Sequence, residues 1–253
     1  SVTAIGTQIF YKASKLNTVY YDSTYSSRDN SFLNTPSITK VVIGAVYVQR
    51  YLLYNCVNVE EVILKSGVES IGDSAFYGCS SLTSISIPNS VTSIGSSAFE
   101  GCNGLKNVNY IGEIDKWAEI EFGDYYSNPL RYAGSLYIND KLVTEVNLIA
   151  VTKISSYAFS GCSSLTSINI PNSVMSIGGG AFDNCTSLAS INIPDSVTSI
   201  GYAAFRGCSN LTEIHYDGTM EEWERIEKTT GWDGSTGSYT IYCTDGNIKK
   251  EGE

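Results

Sequence analysis

The residues best suited to chemistry in this chain are seven cysteines, one histidine and a short run of carboxylates. In an exported protein seven cysteines would suggest disulfides, and paired CxxC spacings would suggest zinc. No CxxC occurs; Cys56, Cys79 and Cys102 follow one another at intervals of 23 residues, as do Cys162, Cys185 and Cys208. Single cysteines so spaced belong to one position of a repeat, where they are expected as a column of buried free thiols packing as small hydrophobes. Thiols in such a column point the same way, which disfavours a disulfide. Cys243 stands outside it. His215 is expected to face outward from a strand with no nucleophile beside it, and Glu221, Glu222, Glu224 and Glu227, which offer the ingredients of a glycosidase carboxylate pair, suit a solvated helix face better. Gly178-Gly179-Gly180 has no P-loop lysine after it. The expectation is therefore a chain with no catalytic residues, no metal site and no cofactor, and not an enzyme.

What positions these residues is a repeat, and a repeat is the first thing to look for. Ser90-Val91-Thr92-Ser93-Ile94-Gly95, followed by Ala98-Phe99 and Cys102, returns as Ser173-Val174-Met175-Ser176-Ile177-Gly178 with Ala181-Phe182 and Cys185. It returns again as Ser196-Val197-Thr198-Ser199-Ile200-Gly201 with Ala204-Phe205 and Cys208. The steps from Phe76 to Phe99, Phe159 to Phe182 and Phe182 to Phe205 are each 23 residues, inside the range of leucine-rich repeats. Each unit carries LxxIxI, as in Leu82, Ile85 and Ile87, whose alternation reads as a short strand. Nine such frames start at residues 16, 38, 59, 82, 105, 143, 165, 188 and 211. Looser copies include Ser1-Val2-Thr3-Ala4-Ile5-Gly6 leading to Phe10, with Ala13 in the cysteine slot. The fold expected is a leucine-rich-repeat solenoid, β-rich, with short parallel strands on its concave side. Gly95, Gly178 and Gly201 are expected to mark a tight backbone bend, and Pro88, Pro171 and Pro194 to end the strands.

Composition narrows the function. Apolar residues make up 42% of the chain, enough for a substantial core, and charged residues only 17%. With 16 basic against 26 acidic residues and no basic cluster, nucleic acid is not an expected partner. No apolar run reaches the length of a membrane span, and no charged-then-apolar leader opens the chain, so if the protein is exported its signal is expected upstream.

The unit SIGxxAFxxCxxLxxIxIPxSV resembles the BspA-like leucine-rich-repeat family. The resemblance is clear in the units around Phe76, Phe99, Phe159, Phe182 and Phe205 and looser before residue 56. It implies a secreted or cell-surface protein of a host-associated bacterium, engaged in adhesion to host matrix proteins or to other cells. The partner so implied is a protein ligand, possible sources being the extracellular matrix or another cell surface. The alternatives are a glycan-binding or enzyme-accessory module and a structural spacer in a larger surface protein.

One leucine-rich-repeat domain over residues 1–253 is expected, with divergent repeats at 1–55, regular repeats at 56–110 and 142–216, an insertion at 111–141 and a cap at 217–253. The insertion and the cap are alike. Tyr110-x-Gly112 leads to Trp117 and Ile120 as Tyr216-x-Gly218 leads to Trp223 and Ile226, each over a short acidic helical stretch. Each is followed by an expected hairpin, turning at Asn139-Asp140 and at Asp245-Gly246. Two candidate binding places emerge. In the LxxIxI frame the outward residues of the N-terminal third include Tyr20, Val42 and Ile63, an apolar patch rimmed by Lys40 and Glu61; burial under the loop of residues 21–35 is the competing reading. The insertion supplies the second, the loop containing Tyr125, Tyr126, Arg131 and Tyr132, since Tyr with Arg is typical of contact surfaces. The remaining outward positions are Ser and Asn, which can form ladders or hydrogen-bond sugars, but no aromatic platform is evident among them.

Overall fold

A computed structural model describes residues 15–22, 32, 35 and 37–250. The first repeat phrase, with Phe10 and Ala13, lies outside the described residues, as does most of the loop at 21–35. The chain divides into two compact units: Ser1–Gly112 with Ile120–Asp140, and Glu113–Glu119 with Lys141–Glu253. The division falls inside the segment expected as an insertion.

Each unit is a β-solenoid whose coils hydrogen-bond to their neighbours in parallel. In the first unit the front strands are Thr18–Tyr21, Lys40–Ile43, Glu61–Leu64, Ser84–Pro88, Asn107–Ile111 and Leu136–Ile138, each in register with the next. In the second they are Glu145–Asn147, Ser167–Asn169, Ser190–Ile193, Glu213–Tyr216 and Tyr239–Cys243. All nine sequence frames form front strands, and the two tryptophan segments add one each. The alternation expected for half-buried strands is present: in Ser84–Pro88 the serines are exposed while Ile85 and Ile87 are buried. A second, narrower sheet runs along each unit, through Tyr47–Val48, Ser70–Ile71, Ser93–Ile94 and Glu121–Phe122 in the first and Lys153–Ile154, Ser176–Ile177, Ser199–Ile200 and Glu227–Lys228 in the second.

Between the two sheets each repeat letter has a physical task. The phenylalanines line up through the core, with ring centroids 5.2 Å apart and tilted for Phe76 and Phe99, and 5.3 Å apart and stacked for Phe182 and Phe205. The serine of SVxxIG ties coil to coil, as Ser90 Oγ donates to the Val68 carbonyl at 2.6 Å and Ser196 Oγ to the Val174 carbonyl at 2.8 Å. The prolines sit at or just beyond strand ends, where their missing N–H costs nothing. The repeat glycine serves a purpose other than the expected bend. A Cβ on Gly95 would lie 2.5 Å from the Asp73 amide nitrogen of the previous coil, and one on Gly178 would lie 2.4 Å from that of Ser156. Glycine is needed because the coils approach too closely there for any side chain.

All seven cysteines are free thiols, and the six in the repeat column are buried. They do more than fill space. Cys79, Cys102, Cys185 and Cys208 each donate through Sγ to a carbonyl one coil back, those of Leu53, Phe76, Phe159 and Phe182, at 3.1 to 3.2 Å. Burial pushes the Cys102 and Cys208 thiols up to about 12, so they stay protonated and unreactive at neutral pH.

The tryptophan segments are not interruptions of the repeat. In the first, the helix Ile114–Ala118 is followed by a complete coil: Ile120 is buried, Glu121–Phe122 pairs with Ser93–Ile94, and Leu136–Ile138 pairs with Asn107–Ile111. The second repeats this with the helix Met220–Arg225, with Glu227–Lys228 beside Ser199–Ile200 and with Tyr239–Cys243 beside Glu213–Tyr216. Asn139 and Asp140 both take positive φ, 48° and 66°, as a two-residue type I′ turn requires. The C-terminal turn lies one residue earlier than expected, at Thr244 and Asp245, because Cys243 pairs with Gly246. It is fastened to the helix start by Met220 N–H donating to the Asp245 carboxylate at 2.8 Å and by Thr244 N–H donating to the Gly218 carbonyl at 2.9 Å.

Candidate functional site

The front sheet of the first unit carries two rows of outward side chains. One runs Thr18, Lys40, Glu61, Ser84 and Asn107; the other runs Tyr20, Val42, Ile63, Ser86, Asn109 and Tyr137, as the strand register dictates. At the N-terminal end Tyr20 is 73% exposed and Ile63 half-buried. Val42 is 7% exposed, because its parallel register seats it between the side chains of Tyr20 and Ile63. The apolar surface here is therefore an exposed tyrosine ring and part of an isoleucine, with Val42 beneath. Lys40 Nζ and the Glu61 carboxylate form an ion pair at 2.8 Å along the neighbouring row. Both are partly exposed, so the pair contributes less than about 1 kcal/mol and acts chiefly to fix the rim.

The tyrosine segment of the first unit is the turn of a coil, held in place on several sides. The Asp124 carboxylate accepts from the Ser97 amide at 3.0 Å and from the Tyr126 amide at 2.9 Å, and Phe99 N–H donates to the Tyr126 carbonyl. Ser127, Asn128 and Leu130 are fully buried, and residues Leu130–Ala133 form a short helix. On this base the Arg131 guanidinium lies 3.7 Å from the Tyr125 ring centroid and 5.0 Å from that of Tyr126, and the two rings meet edge to face at 5.3 Å. Tyr132 turns inward, its hydroxyl accepting from the Gly101 amide at 3.2 Å. Burial raises its hydroxyl above the usual tyrosine range. Of the four expected contact residues, three are thus a pre-set aromatic and cationic cluster and the fourth is part of its support.

Tyrosines of the preceding coils share this turn edge, and sequence reasoning missed them. Leu53 N–H donates to the Ala75 carbonyl and Phe76 N–H to that of Ala98, so successive turns stand side by side. Tyr54 and Tyr77, both directly after the core residue of the turn, stack at 4.7 Å with an interplanar angle of 13°. Tyr51 meets Tyr54 edge to face at 5.7 Å, and the Arg50 guanidinium is 5.7 Å from the Tyr51 ring. The signal was a column in the repeat alignment, positions 54 and 77, where no repeat residue is required. In the second unit the same column holds Ser160, Asp183 and Arg206. There Arg206 closes a two-point ion pair on buried Asp183, at 2.9 and 2.6 Å.

The residues weighed for chemistry are dispersed. His215 is half-buried on the front of the second unit, 3.0 Å from the Glu213 carboxylate and stacked on Tyr242 at 5.1 Å. Glu221 pairs with Arg225, and Glu222 completes a capping box with Thr219, whose backbone and hydroxyl hydrogen bonds hold its carboxyl below the usual range. Among the described residues no group of three or more His, Cys, Asp or Glu could hold a metal ion, and no helix is long and apolar enough to cross a membrane.

The description BspA type Leucine rich repeat region matches this chain in six copies, over residues 1–49, 46–128 and 135–227. The chain belongs to the BspA-type leucine-rich-repeat family. No curated protein matches it significantly. Solved structures similar to this BspA-type chain include a leucine-rich-repeat protein from Bacteroides ovatus, at 23% identity and a TM-score of 0.53, covering 96% of this chain and 63% of that one. A leucine rich cell surface protein from Faecalibacterium prausnitzii is 20% identical with a TM-score of 0.43, covering 90% of this chain and 80% of that one. The pneumococcal vaccine antigen PcpA is 12% identical with a TM-score of 0.39, over 95% and 81% of the two chains. The Bacteroides ovatus structure supports the fold of this BspA-type chain.

Proposed function

We propose that this BspA-type chain is a binding module displayed at a cell surface or secreted, and that the turn edge of its first unit grips a protein ligand in adhesion. The carrying observation is the cluster of Arg131, Tyr125 and Tyr126 on the turn edge that also carries Tyr51, Tyr54 and Tyr77. Tyrosine and arginine dominate protein contact energies because they offer large amphipathic area, and here little side-chain freedom remains to be lost on binding. Tyr20 and Ile63, rimmed by Lys40 and Glu61, supply a second candidate contact on the front sheet, with Val42 as its floor. The family supports a surface binding role, and the cell-surface description belongs to the Faecalibacterium prausnitzii relative.

Binding to a panel of matrix and serum proteins tests the reading. Changing Arg131 to Ala and Tyr54 to Ser is expected to weaken binding of the matching ligand by about 2 kcal/mol or more each, as contact hot spots do. Tyr20→Ser with Ile63→Ser separates the front patch from the turn edge. A ligand bound equally well by all these variants would remove both surfaces from consideration.

A further inference from the structure

The front sheet of the first unit holds a feature that the protein-binding reading leaves unused. Between the apolar N-terminal end and the last coil lies a trough of about 320 Å³, at the small end of ligand sites. Its floor is Ser84, Ser86, Asn107 and Asn109, and Tyr137 and Asp140 form its far wall. Tyr137 is in register with Asn109 one strand away, which puts an aromatic ring beside the amide row. Asp140 is aimed by its turn: Asn109 Nδ2 donates to its carboxylate while its own N–H donates back to Asn109 Oδ1 at 3.1 Å. The two planar groups are thereby fixed before any ligand arrives.

The corresponding face of the second unit disposes of its polar groups differently. There Asn169 Nδ2 donates to Asn147 Oδ1 at 2.8 Å and Asn192 Nδ2 to Asn169 Oδ1 at 3.3 Å, so the amides satisfy one another in a ladder. In the first unit the side chains of Ser84, Ser86 and Asn107 have no hydrogen-bond partner among the described residues and are exposed. Their donors and acceptors remain available.

We propose that this trough binds a neutral sugar residue of a glycan. A hexose has a C–H face that stacks on a phenol ring and a rim of hydroxyls that both donate and accept. Tyr137 offers the ring, and serine hydroxyls, an amide and a carboxylate offer complementary partners of both kinds. The charge pattern disfavours acidic sugars: among the described residues Asp140 is the only charged side chain lining the trough, and no cation lines it to pair with a uronate or sialate. The tyrosine and arginine edge takes no part in this site.

The test is a glycan array carrying neutral glucans, galactans, mannans and N-acetylhexosamine polymers together with sialylated and uronate-containing glycans, followed by calorimetric titration of the bound neutral oligosaccharide. Binding to neutral members alone is expected, weakened about tenfold or more by Tyr137→Ala and by the fully surface-facing Asn107→Ala, and unchanged by Arg131→Ala. Thermal melts of the variants establish that they fold. An array with no neutral binder, equal binding of acidic glycans, or unchanged affinity in folded Tyr137→Ala and Asn107→Ala would each overturn the proposal. Because Arg131 is absent from the trough, loss of protein binding and loss of glycan binding report on different sites.

Discussion

The two tryptophan segments are built from one template, and they differ in what the helix of each is asked to hold. In the first, helix Ile114–Ala118 belongs to the second unit while the coil that follows it, Ile120–Asp140, belongs to the first. Trp117 is fully buried, its indole N–H donates to the Ala158 carbonyl at 2.8 Å, the Ala118 carbonyl accepts from Ser155 N–H, and the Asp115 carboxylate accepts from the amides of Ile149 and Ala150. These bonds close the first coil of the second unit. In the C-terminal copy two counterparts are turned to a surface role: Glu221 replaces Asp115 and pairs with Arg225, and exposed Glu224 stands where Ala118 is buried. Trp223 packs against Tyr216 and Trp232 with the Lys228 ammonium 4.7 Å from its ring. One fold element thus packs its helix into the next coil or presents it to solvent according to whether its outer helix residues are small or charged.

Exchanging the deciding residue should have the largest effect. Ala118→Glu forces an unpaired carboxylate into the second unit and is expected to cost about 3–5 kcal/mol, whereas Glu224→Ala should stay within about 0.5 kcal/mol. Denaturant unfolding of both variants checks this, and equal costs would mean that the two helices have the same surroundings. Next in size is the indole bond. Trp117→Phe removes the indole donor from the buried Ala158 carbonyl and should cost about 1 kcal/mol more than Trp223→Phe, seen as faster amide exchange at Tyr157 to Phe159. The smallest difference concerns helix entry. Thr219 is an N-cap in a capping box, while Glu113 makes no side-chain cap. Thr219→Ala should therefore destabilise by about 1 kcal/mol and Glu113→Ala by a few tenths at most, measured by thermal melts.

The solenoid was legible in the sequence because each repeat letter answers to a single physical demand that returns every 23 residues. The thiol column and the strand frames followed from that alone. The coil of residues 120–138 was hidden because its letters were exchanged for others: Glu121–Phe122 for Ser-Ile, Asp124 and Tyr126 for the turn. Burial requires a shape at those positions, and more than one residue meets it. The candidate surfaces were harder still. Val42 was placed correctly on the outward face, yet its neighbours cover it, and that depends on side-chain size across strands. Tyr54 and Tyr77 occupy a position the core leaves free, so nothing in the periodic pattern drew attention to them. Tyr137, the aromatic beside the Ser and Asn rows, belongs to the same disguised coil and could be assigned to that face only from strand register.

The glycine contacts and thiol bonds that join each coil only to its neighbour carry a mechanical consequence. Under tension along the chain, the coils of either unit come away one after another, since each is held by the bonds to its neighbour. Each 23-residue coil, drawn out at about 3.5 Å per residue, would release about 80 Å of slack. A stack built this way lengthens in a staircase under load.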